Sequence, residues 1–168
     1  MKSTYATLGL TLYLLVCTVV FAAEPAPTPK EVGKDQPLTT AMLAGTYTIT
    51  SAQKGDEKTP ADELEGALVT FTENTLVATD KDKKQTYAAT FKLNNSQTPA
   101  VITMVSTIPE HRSAKASGLI QGDGNTIKLI YALPGEGEMP KGFEAGEGQR
   151  LLTLKKLAKT ASVPVDRK

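Results

Sequence analysis

The stretch Thr86-Tyr87-Ala88-Ala89-Thr90-Phe91-Lys92-Leu93 decides the fold. Tyr87, Phe91 and Leu93 fall on one parity, and Thr86, Thr90 and Lys92 on the other. An extended chain turns alternate side chains to opposite faces, so this pattern gives a strand with one apolar and one polar face. Thr46-Tyr47-Thr48-Ile49-Thr50-Ser51 repeats it with threonines on the even positions, and Thr126-Ile127-Lys128-Leu129-Ile130-Tyr131 repeats it again. Working outward, residues 67–72, 75–79, 100–106, 116–121 and 150–157 qualify as further strands, making eight. No window sustains a 3.6-residue apolar stripe. One short helix is expected over residues 60–65, with Pro60 in its first turn, Asp62 and Glu63 near its start and Gly66 ending it.

The joints carry turn chemistry: Glu73-Asn74, Gly55-Asp56, Asp80-Lys81-Asp82-Lys83 and, for a tight hairpin, Asp123-Gly124. Eight sequential strands joined mostly by hairpins predict an all-β, antiparallel up-and-down barrel, since closure removes the unpaired edges of an open sheet.

Composition narrows the function. With one Cys and one His in 168 residues, the chain holds no Cys/His zinc cluster and no internal disulfide, and no cofactor is expected. Nineteen Lys+Arg against eighteen Asp+Glu give no basic field for nucleic acid. Residues 1–22 read as a signal peptide: Lys2, an apolar stretch from Leu8 to Phe21, and Val20-Phe21-Ala22 at the cleavage site. The stretch is shorter than the roughly 20 residues of a spanning helix, so a secreted or periplasmic product without a stable membrane anchor is expected. Lipidation of Cys17 is the minor alternative, since Val16 stands where a lipobox carries a small residue. Residues 23–40, with Pro25, Pro27, Pro29 and Pro37, read as a disordered linker. The barrel domain is expected over 41–157, and 158–168 as a flexible tail.

Leu43-Ala44-Gly45-Thr46-Tyr47-Thr48-Ile49-Thr50-Ser51 opens a pattern that continues through Glu63-Leu64-Glu65-Gly66-Ala67-Leu68-Val69-Thr70-Phe71 and Phe91-Lys92-Leu93-Asn94. Pro99-Ala100-Val101-Ile102, Gly118-Leu119-Ile120, Asp123 to Leu129, Leu133-Pro134-Gly135, Pro140, Phe143 and Leu151-Leu152-Thr153-Leu154-Lys155 complete it. In this order the chain resembles a family of uncharacterised lipocalin-like domains of planctomycete bacteria. The resemblance implies an exported lipocalin-like barrel. The family's Trp after the first glycine is Tyr47 here, and a cation from Lys155 or Lys156 over its ring would plug one end of the barrel.

Candidate chemistry is sparse. His111, in Pro109-Glu110-His111-Arg112, has Glu110 and Ser113 near it in sequence, and a solvated loop explains it better than catalysis. The glycine-rich segment 134–148 lacks the Lys and helix of a phosphate loop and carries four glutamates. It is a long loop, and its functional reading is a cover over a barrel mouth with Phe143 dipping in. Gly122-Asp123-Gly124-Asn125 lacks the carboxylates of a calcium loop and reads as a turn. The interior remains: Tyr47, Phe71, Tyr87, Phe91, Tyr131 and Phe143 are the candidate ligand-binding residues. An eight-stranded barrel either fills with its own side chains or holds one small ligand. The chain therefore reads as a non-enzymatic binder of a small apolar or amphipathic molecule, the alternative being an interaction domain with a filled barrel that contacts an exported protein partner.

Overall fold

The computed structural model describes residues 37–158. The signal peptide, Cys17, the linker before residue 37 and the tail from residue 159 lie outside the described residues.

All eight expected strands form. They are β1 (Gly45–Lys54), β3 (Leu68–Phe71), β4 (Thr75–Thr79), β5 (Gln85–Asn94), β6 (Ala100–Ser106), β7 (Lys115–Gly122), β8 (Thr126–Ala132) and β9 (Gln149–Lys156). A two-residue strand, β2 (Glu57–Lys58), hangs on the end of β1. Each long strand pairs antiparallel with the next, and β1 pairs with β9 from Tyr47↔Lys156 to Lys54↔Arg150, closing the barrel. The chain is thus an all-β, eight-stranded, lipocalin-like up-and-down barrel.

Two irregularities re-phase the walls. On β1 the register against β9 shifts between Ile49 and Ser51, so Tyr47 and Ile49 face inward before the bulge and Ala52 after it. On β4 and β5 the pairing passes from Ala78↔Tyr87 to Thr79↔Gln85. Thr86, expected on the water face, therefore reaches the rim of the interior, and its hydroxyl donates to the Ala78 carbonyl at 3.3 Å.

The helical content exceeds the one segment expected. The helix α1 (Thr40–Leu43) precedes β1, its N-cap Thr39 accepting from the Met42 amide at 3.2 Å. The expected helix forms as α2 (Ala61–Leu64), with Pro60 at its N-cap and Gly66 leaving it at φ +76°. A single 3-10 turn spans Pro109–His111. Core packing also extends ahead of residue 41. Leu38 is buried, and its carbonyl accepts from the Asn95 amide group at 3.0 Å, so this end of the supposed linker belongs to the core.

Antiparallel order puts α1 and the turns β3–β4, β5–β6 and β7–β8 at one end of the barrel. The segments carrying α2, the β4–β5 turn, the 3-10 turn and the long β8–β9 connection gather at the other. The Asp123 carboxylate fixes the β7–β8 turn by accepting from the Asn125 and Thr126 amides at 2.8 and 2.7 Å, and these bonds lower its pKa. The glycine-containing segment singled out above is a hairpin turn.

Candidate binding cavity

The interior has a filled half and an empty half. At the α1 end, Tyr47 is fully buried, and its ring meets Phe71 edge-on with centroids 5.7 Å apart; Phe71 meets Phe91 in the same way at 5.7 Å. Leu43, Ile102, Ile120, Ile127 and Leu154 complete a close-packed floor. The Tyr47 hydroxyl donates to the Leu43 carbonyl at 2.8 Å, tying the floor to α1. Burial raises the Tyr47 pKa, and the nearby Asp123 charge adds to this.

Lys156 seals this end. Its Nζ lies 5.5 Å from the Tyr47 ring centroid and donates to the Met42 carbonyl at 3.4 Å. Gly45, at φ +142°, makes room for it, because a Cβ there would come within 2.7 Å of Lys156 Cε. The cation expected over Tyr47 from Lys155 or Lys156 comes from Lys156, which shares the inward parity of Leu152 and Leu154.

Above the floor the walls change to small side chains. Ala52, Ala78 and Ala114 line the space where Phe71, Phe91 and Ile102 fill it below, and a cavity of about 500 Å³ opens toward the other end. That volume falls within the range of small-molecule pockets, roughly 300–1,000 Å³. Leu129, Leu152, Met104 and Leu76 make its depth apolar. Tyr87 and Tyr131 stand higher, with Leu64 of α2, Leu133 and Pro134 at the rim.

The polar groups cluster near the mouth. Ser106 is 4% exposed and, among the described residues, its hydroxyl has no hydrogen-bond partner. Arg150 is the cross-strand partner of Tyr131 and lines the cavity beside it. Burial pushes the Tyr87 pKa up to about 12, helped by the neighbouring Tyr131. Burial also raises Tyr131, against the opposing pull of the Arg150 guanidinium. Both phenols therefore remain protonated donors at neutral pH. Glu136 lines the rim and pairs with Lys54 at 3.5 Å. His111 also lines the mouth, exposed, with no side-chain hydrogen bond to Glu110 or Ser113 among the described residues.

The six aromatics singled out in the sequence thus divide. Tyr87 and Tyr131 line the cavity; Tyr47, Phe71 and Phe91 form the floor. Phe143 does not line the cavity. The long loop pinches at its base, where the Leu133 amide donates to the Gly148 carbonyl at 2.8 Å and Gly148 lies against Glu136. The excursion beyond that pinch carries Phe143 with it, half-buried, while Leu133, Pro134 and Glu136 below it form the rim. Ser106 and Arg150 were missed, although the signal was present. Each is a polar residue on the inward parity of an otherwise apolar set: Ala100, Ile102, Met104, Ser106 on β6, and Arg150, Leu152, Leu154 on β9.

Fold and site together define a lipocalin-like barrel, closed at one end and open at the other around an apolar cavity with a polar mouth. No protein-family model, curated protein or solved structure matches this chain.

Proposed function

We propose that the protein is an exported, non-enzymatic carrier that holds a small apolar or amphipathic molecule inside the barrel. The observation that carries this reading is the cavity of about 500 Å³ above a tightly packed floor. Protein interiors pack to crystal-like density, so a space this large needs a cause, and here the cause is alanine at wall positions where larger side chains would close it. The space also favours a carrier over an interaction domain with a filled barrel. The signal-like residues 1–22 and the resemblance to planctomycete lipocalin-like domains support export.

The test is uptake of N-phenyl-1-naphthylamine, an uncharged apolar dye whose emission rises out of water. The purified domain takes it up at micromolar concentration with one site per chain. Absence of saturable uptake would leave the interaction-domain reading standing.

A further inference from the structure

We propose that the ligand is an amphipathic carboxylic acid, its tail toward the Phe71–Phe91 floor and its carboxylate at the mouth against Arg150, within reach of the Ser106 hydroxyl. The inference rests on the carrier reading and names the head group that reading leaves open.

Three observations at the mouth converge on it. Arg150 shares the inward parity of β9 but lies at its exposed end, on the cavity lining, and among the described residues no carboxylate lies within ion-pairing distance of it. Glu136, the acid on the cavity rim, is engaged by Lys54. Arg150 is thus a cation at the entrance to an apolar cavity, held beside the Tyr131 phenol and without a carboxylate partner, so the rest of its donor fork can meet an incoming anion.

Second, the Ser106 hydroxyl is buried and unpartnered on the cavity wall. Buried polar groups nearly always find a partner, and a wholly apolar occupant would leave this one stranded. Third, Tyr87 stands on the same inward face, diagonal to the Ala89↔Ser106 pair, and supplies a neutral donor nearby. Guanidinium, hydroxyl and phenol line the same cavity and between them offer the kinds of donor that the lone pairs of a carboxylate head call for. A cationic head would face Arg150, and a dianionic phosphate would bring a second charge that one guanidinium leaves unpaired. The single negative charge fits best.

The test displaces N-phenyl-1-naphthylamine from the full domain with decanoic acid and with decanol, which share a tail and differ in the head. A hydrogen bond to a charged group contributes roughly ten- to hundredfold in affinity. Arg150→Gln is therefore expected to lower the ratio of acid to alcohol affinity by about tenfold while the dye and decanol change less than about twofold. Arg150→Lys, which keeps the charge, retains most of the acid preference. An unchanged ratio in Arg150→Gln overturns the head-group assignment and leaves the carrier reading in place. Failure of the neutral dye to bind wild-type protein overturns both.

Discussion

Phe91→Ala and Tyr87→Ala compare two rings on one face of one strand, one in the floor and one in the cavity wall. Phe91 is 4% exposed and packs edge-on against Phe71, so its removal strips a filled region and leaves a void the rigid barrel cannot close. Large-to-small changes of this kind cost about 3–5 kcal/mol. Tyr87 is half-buried against space that is already empty, so its removal enlarges an existing cavity and forfeits about half the transfer value of a buried ring, about 1–1.5 kcal/mol. Thr90→Ala, on the water face between them, changes stability by about 0.5 kcal/mol or less. Urea titrations of the three variants measure this, and the slopes should match wild type, so that midpoints report stability directly. Equal losses for Phe91→Ala and Tyr87→Ala would refute the division of the interior into a packed floor and an open upper half.

Gly118→Ala should prevent folding or cost more than about 4 kcal/mol, because its Cβ would collide with the Ile130 carbonyl across the β7–β8 ladder; circular dichroism of the variant decides it. Lys156→Met should cost about 1 kcal/mol in a denaturant titration, through loss of the cation over Tyr47 and of the bond to Met42. The raised Tyr87 pKa sets a pH dependence. Below about pH 10 both states hold the proton, and from there to about 12 the unfolded chain alone releases it, so stability falls as pH rises through that window. Tyr87→Phe should flatten that fall when unfolding midpoints at pH 9 and 11.5 are compared with wild type. N-terminal sequencing of exported protein should give Ala23 or Glu24, and intact Met1 in a membrane fraction would refute cleavage.

The strands were legible because each buries one face, which writes a period of two into residues such as Tyr87, Phe91 and Leu93. The bulges at Ile49/Ser51 and Ala78/Thr79 were not, because a bulge is a property of two paired strands and leaves no mark on either alone. The helix α1 is four residues long, too short for any periodic signal, and Leu38 was masked by Pro37 and its polar neighbours. Five of the six aromatics lie in the floor or on the cavity wall, yet ring identity carries no height along the barrel axis. Register does, and it separates the floor trio from Tyr87 and Tyr131. Phe143 misled because a loop's path over the rim follows from backbone closure at Leu133 and Gly148, which hydrophobicity does not encode.

Dye uptake by Ala78→Phe tests the carrier claim most directly. Ala78 lines the cavity beside Tyr87, its cross-strand partner, so a phenyl ring there fills space a ligand would occupy. Wild-type protein should bind N-phenyl-1-naphthylamine at micromolar concentration, and the variant should lose that binding with its unfolding midpoint unchanged or raised, since filling a void stabilises. Undiminished uptake by a folded Ala78→Phe would place the dye outside the barrel and contradict the account.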